Sequence, residues 1–287
     1  MKAVKTSHAR LAVSTALLAG AAFVARPALA TPVTLQDGNA SLGLNVVSNG
    51  TPSQDGAFTW DINGVNQLDQ QWFWFRVGNS GAGQEITSLS ESGSPALADT
   101  DGGGDDNYAS INYSGSGFAM NVQYMLSGGS STSHVADVDA IIRILNKTSK
   151  ALVFDLADYG NFTLGSAGGD RAISITNNNT ATESNSAGAA AQVIVSPAAT
   201  QYDASDAATL AAGLDSGALL PLPDNSSTSG ADPAFAFGYD LTIPANGSYV
   251  ISSDEQIITA VPEPTSGMAA LAGSCLILVR RRRRDEE

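Results

Sequence analysis

Cysteine is nearly missing from this 287-residue chain: Cys275 is the only one, and it lies in an apolar run close to the C-terminus. A body exported without that run has no disulfide and no thiol chemistry, so its stability must come from a packed core. Histidine is as scarce, His134 being the only one beyond the N-terminal stretch. One imidazole with no cysteine cannot complete a zinc site. A Ser-His-Asp triad would have to use His134, with Ser133 and Asp137 close by in sequence, and no G-x-S-x-G turn is present. Positive charge is also lacking. Between Thr31 and Pro264 the basic residues are Arg76, Arg143, Lys147, Lys150 and Arg171, whereas all 28 acidic residues except Asp285, Glu286 and Glu287 fall there, a net charge of about −20. Such a surface repels a phosphate backbone and excludes nucleic acid as a partner. It suits a soluble protein outside the cell, among cations or hydrated polymer. Helical periodicity is almost absent, and no repeat of fixed period occurs.

Short apolar runs with a period of two are plentiful. "ASLGLNVV", "FTWDING", "QWFWFRV", "YASINY", "FAMNVQYML", "VADVDAIIRIL", "ALVFDLADY", "AISIT", "AQVIVS", "FAFGYDLTI" and "SYVISSDEQII" all have strand character, and Gly, Asn, Asp, Ser and Pro fill the gaps between them. The exception is "SDAATLAAGLDSG", which predicts a short helix near 205–216 with Ser205 as cap and Gly217 as stop. Together these predict an all-β fold, an antiparallel β-sandwich of about ten short strands in one domain, residues 31–259. "DAIIRILNKTSKALVFDLADY" is expected to be a hairpin closed by Asn146 to Lys150. "GSAGGD", "TNNNTATESNSAGAAA" and "PDNSSTSGADP" are expected to be long exposed loops.

The two ends have a different character. Lys2, Lys5 and Arg10 precede an apolar run from Leu11 to Val24, and Ala28-Leu29-Ala30 places small residues before Thr31. This pattern predicts a signal peptide over 1–30, removed by signal peptidase at Ala28, Ala30 and Thr31. The other end, 260–287, reads "VPEPTSGMAALAGSCLILVRRRRRDEE" from Val261. Its apolar part, Thr265 to Val279, would span about 22 Å as a helix, short of the roughly 30 Å hydrocarbon core. Arg280, Arg281, Arg282, Arg283 and Arg284 would hold its C-terminal side in the cytoplasm, so segment 265–284 is expected to touch the membrane only transiently. Pro262 and Pro264 end any helix and leave an extended stretch open to a protease.

Pro262-Glu263-Pro264, an apolar helix and an arginine cluster, in that order behind a signal peptide, resemble the PEP-CTERM sorting signal of Gram-negative bacteria. The resemblance implies recognition by an exosortase, an integral-membrane cysteine transpeptidase-like enzyme, removal of the helix, and release or attachment at the cell surface. It also implies a host that makes exopolysaccharide. The body resembles the secreted β-rich domains often found before this signal, "QQWFWFRVG" being the most suggestive stretch, and that likeness brings no chemistry with it. Within the helix, Cys275 has the size of a small hydrophobe.

Three further groups could carry chemistry. "DTDGGGDDN" places Asp99, Asp101, Asp105, Asp106 and Asn107 around three glycines, hard oxygen ligands on a flexible loop as Ca²⁺ prefers, though without EF-hand spacing. A solvated acidic turn is the simpler reading, and no other cofactor is expected. Acid pairs such as Asp99/Asp101 and Asp137/Asp139 could serve a glycosidase, yet pairs are unavoidable among so many acids. Trp60, Trp72 and Trp74 could stack sugar rings on an open sheet face, or fill a strand buried on both faces. The expected function is an exported, non-enzymatic surface or matrix protein associated with exopolysaccharide. The alternative is a carbohydrate-binding or Ca²⁺-dependent adhesive module, and a secreted hydrolase is third.

Overall fold

The computed structural model describes residues 32–260, apart from 49, 52–53, 166–169 and 217–218. Both terminal expectations therefore lie outside the described residues: the signal peptide with Ala28, Ala30 and Thr31, and the tail with Pro262, Glu263, Pro264, Cys275 and Arg280 to Arg284.

The described chain is all-β. In order its strands are β1 (Val33–Asp37), β2 (Ala40–Asn45), β3 (Gly56–Ile62), β4 (Val65–Asn66), β5 (Leu68–Val77), β6 (Gln84–Glu85), β7 (Ser90–Glu91), β8 (Ala96–Ala98), β9 (Tyr108–Gly115) and β10 (Phe118–Ser127). There follow β11 (Val135–Asn146), β12 (Leu152–Phe162), β13 (Arg171–Thr176), β14 (Thr180–Asn185), β15 (Ala190–Ser196), β16 (Gln201–Asp206), helix α1 (Ala207–Ser216), β17 (Ser227–Gly230), β18 (Pro233–Ile243) and β19 (Ser248–Ile258). One sheet runs β1-β2-β3-β5-β12-β18-β16, and the other β17-β13-β14-β15-β19-β11-β10-β9-β7. Pairing is antiparallel throughout.

All eleven apolar runs form strands. The count rises from the expected ten to nineteen, among the described residues, because polar edge segments and two- or three-residue strands pair as well. Two expected loops are corrected in this way: β14 lies inside "TNNNTATESNSAGAAA" and β17 inside "PDNSSTSGADP". The helix starts at Ala207, and its cap is Asp206, whose Oδ1 accepts the Thr209 N–H at 3.1 Å. Ser205 belongs to β16 instead, its hydroxyl on Asp203 at 2.8 Å.

The expected hairpin at Asn146 to Lys150 is a corner between the sheets. β11 pairs with β10 and β19, whereas β12 pairs with β5 and β18. A five-residue loop fits either geometry, and the Asn146 side chain decides between them. Fully buried, its amide donates to the carbonyls of Lys150 (2.7 Å), Ile243 (3.0 Å) and Pro244 (2.9 Å). Those last two belong to the β18–β19 connection, which crosses between the same sheets, so one amide ties two crossings together.

Inward residues alternate along β10 (Phe118, Met120, Val122, Tyr124, Leu126) and β11 (Ala136, Val138, Ala140, Ile142, Ile144), as a half-buried strand requires. β5 differs, being buried on both faces from Gln70 to Arg76. Phe75 meets Phe118 of the opposite sheet, ring centroids 5.6 Å apart, while the Trp74 indole N–H points outward to Asp215 of α1 at 2.6 Å. The segment after the helix presses on the same outer face: a Cβ at Gly238 would lie 2.5 Å from Leu220. Helix α1 and Leu219 to Leu222 thus roof the first sheet, which is why a strand in an antiparallel sandwich has the hydrophobicity of a fully enclosed one.

Candidate functional site

The expected sites fare differently. Trp60, Trp72 and Trp74 are at most 1% exposed and form no stacking platform. Asp137 and Asp139 lie on the outward face of β11, where Asp137 accepts from Gln256 at 2.8 Å and Asp139 stands opposite Asp254. His134 precedes β11 and puts Nδ1 3.1 Å from Thr259 Oγ1, while the Ser133 hydroxyl donates to Val135 O at 3.1 Å.

In "DTDGGGDDN" the carboxylates serve the loop's own backbone. Asp99 accepts the N–H of Gly102 (2.7 Å) and Gly104 (2.9 Å), and Asp101 accepts that of Gly103 (2.8 Å). The Gly104 and Gly102 amides hold the Asp99 carboxyl below the usual range. Asn107 is buried and caps Thr100 N–H and Oγ1 at 2.9 Å each, while Asp105 and Asp106 point to solvent. Among the described residues no group of three or more His, Cys, Asp or Glu has metal-binding geometry.

Other acids, unremarkable in the sequence, are enclosed. Between the sheets, Asp158 accepts the Gln71 amide at 2.9 Å, and Tyr124 donates to Gln71 Oε1 at 2.9 Å. Ser253 reaches Glu255 at 3.4 Å. Burial pushes Asp158 up to about 7, and burial with the nearby Asp158 charge pushes Glu255 well up. Nearer the sandwich edge, Arg171 lies 3.4 Å from Glu183 and 3.0 Å from Asp232, yet burial still raises Glu183 to about 8.

Two concave regions among the described residues are larger than the cleft of about 140 Å³ between α1 and Leu219 to Pro223. Ser48, Gln84, Glu85, Thr87, Ser88 and Asp215 line a shallow groove of about 530 Å³ beside the helix. Thr87 Oγ1 donates to buried Asp55 at 2.8 Å, and burial, then the Asp55 bond and charge, raise Glu85 to about 8. That is an acid–base couple in form. Asp55, however, lies under the groove with no exposed surface, and Asp215 is held by the Trp74 indole. The pair is not set to flank a bond across the groove, as glycoside cleavage demands.

The second region is a pocket of about 250 Å³ at one end of the sandwich. The Asn63-Gly64 turn, with φ of +53° and +76°, closes β3 on β4 and brings Asn63 and Val65 to the rim. Leu164 and Gly165 turn off the end of β12 with φ of +49° and +83°, their wall held where Leu164 N–H donates to the Gln67 carbonyl at 3.2 Å. Asn185 bridges to Leu164 O at 3.0 Å and caps the β14–β15 turn, while His134, just before β11, and Thr259, just after β19, join the lining. Gln67 forms the floor. It is 2% exposed, donates Nε2 to Val65 O at 2.9 Å, and leaves Oε1 without a partner. Sequence reasoning missed this pocket because its parts come from separate turns and strand ends; the Asn63-Gly64 dipeptide, read as the end of a strand run, is the one signal that could have pointed to it.

No protein-family model and no curated protein matches the sequence. Solved structures resemble this fold at low sequence identity. A bacterial glucoamylase complexed with acarbose superposes with a TM-score of 0.50 at 8% identity, over 82% of this chain and 32% of that one. A putative kojibiose phosphorylase from human microbiome gives 0.46 at 9% identity, over 86% and 33%. A polysaccharide lyase gives 0.42 at 12% identity, over 78% and 33%. The chain spans about a third of the length of these enzymes, and at such identity the likeness concerns the fold alone.

Proposed function

We propose that the chain is an exported, non-enzymatic β-sandwich, sorted by its C-terminal tail and displayed at the cell surface or in an exopolysaccharide matrix. The observation that carries this reading is the ordered tail, Pro262-Glu263-Pro264, an apolar run and Arg280 to Arg284, behind an N-terminal secretory pattern. The body supports it indirectly. It is strongly acidic and has no cysteine, and its tryptophans are buried in the core. Signal peptidase and an exosortase are the partners during export, and the apolar run is an address more than a lasting anchor, because it is short for a bilayer.

Replacing Pro262, Glu263 and Pro264 with alanine leaves the signal peptide intact, so the variant crosses the inner membrane but stays there unprocessed. Fractionation with immunoblotting tests this. Release of a shortened variant would contradict the role given to the motif.

The second reading, a carbohydrate-binding module, is favoured by the end pocket, a concave site with mixed apolar and amide lining. The adhesive variant through Ca²⁺ has less support, since Asp99 and Asp101 already accept backbone N–H groups. A hydrolase has the least, for the placement of Asp55 beneath its groove.

A further inference from the structure

We infer that the pocket at the end of the sandwich binds one neutral sugar unit, with Gln67 as its buried hydrogen-bond acceptor. This deepens the proposed matrix role and takes only its ligand class from it.

Four observations converge on that ligand. First, Gln67 Oε1 is a buried acceptor without a partner, and its orientation is fixed because Nε2 already donates to Val65 O. A buried acceptor left bare is costly, and the group that answers it must bring a donor such as a hydroxyl. Second, among the described residues no Asp, Glu, Lys or Arg lines the pocket, so these offer nothing to neutralise a charged ligand. The body's net charge of about −20 further disfavours an anionic one. Third, Val65, 46% exposed, and Leu164 supply apolar walls against which the C–H face of a pyranose can rest, while Asn63 and His134 stand at the rim for outer hydroxyls. His134 is anchored there through Nδ1 and Thr259. Fourth, about 250 Å³ lies under the roughly 300–1,000 Å³ of sites for drug-sized ligands, which limits the occupant to one ring. Gly165 lies beside the acceptor: a Cβ there would make ordinary contact at 3.5 Å from Gln67 Oε1, and its φ of +83° favours glycine.

The test is saturation-transfer NMR on the full-length chain in detergent, with D-glucose, D-galactose and D-mannose as separate probes and glycerol as a small polyol. At least one hexose should show saturable transfer, and glycerol none. Gln67→Leu removes the acceptor and should weaken binding about tenfold. Val65→Asp, at a rim position that is 46% exposed, should weaken it too and decides the matter if Gln67→Leu proves unstable. No transfer from any hexose, equal transfer from glycerol, or binding untouched by the substitutions would each overturn the proposal. Its failure is separable from that of the sorting reading: a chain that loses its arginines in the host yet binds no sugar refutes only the pocket, and one that binds sugar but keeps them refutes only the sorting.

Discussion

The acidic loop Asp99 to Asn107 and the enclosed acids Asp158, Glu183 and Glu255 are built from the same carboxylates and behave in opposite ways. In the loop, backbone N–H groups surround an exposed carboxylate and lower its proton affinity. Between and beside the sheets, burial outweighs the available bonds and raises it. Acids conspicuous in sequence therefore stabilise a turn, whereas acids hidden within strands carry the electrostatic strain of the fold.

The largest expected effect comes from unpairing an enclosed acid. Arg171→Met leaves Glu183 and Asp232 without their cation and should cost about 3–5 kcal/mol in urea unfolding at pH 9, where Glu183 is ionised. Adding Glu183→Gln should recover part of that loss. A variant as stable as wild type would show that the pair contributes nothing.

A smaller effect is expected from pH. Asp158 and Glu183 have folded values near 7 and 8, raised above unfolded values near 4, so their contribution is complete below about pH 4 and is lost as pH rises through 7 to 8. Asp158 alone should lower stability at pH 9 below that at pH 5 by on the order of 3 kcal/mol. Asp158→Asn should flatten the profile, as urea midpoints at the two pH values would report. An unaltered slope in the variant would assign the pH dependence elsewhere.

The smallest effect is expected at the exposed loop. Because Asp99 already has backbone donors, the melting temperature should be the same in EDTA and in millimolar Ca²⁺, and Asp99→Asn should shift it little. A rise with Ca²⁺ would establish a specific site and end the contrast drawn above.

Much of the fold was legible because burial on one face of a strand writes a period of two. The misses have physical causes. β14 and β17 are polar, and what pairs them is backbone hydrogen bonding, which leaves no hydrophobic signature. The corner at Asn146 has hairpin length, and only the three carbonyls its amide reaches distinguish it. β5 looked like a two-sided core strand, and it is one, but the roof over Trp74 comes from a helix more than a hundred residues later, whose packing its own composition does not announce. The pocket was the least legible part, since Asn63, Gln67, His134, Leu164 and Asn185 share no spacing. The address proposed for the tail is the reverse case, resting wholly on residue order.

The measurement that bears most directly on the central claim is intact-mass spectrometry of the protein recovered from the extracellular matrix of its native host. The account predicts a chain beginning at Thr31 and lacking Met268 to Glu287. Recovery of matrix-located protein that still carries Arg280 to Arg284 would contradict it, because five arginines are not drawn through a bilayer at small cost.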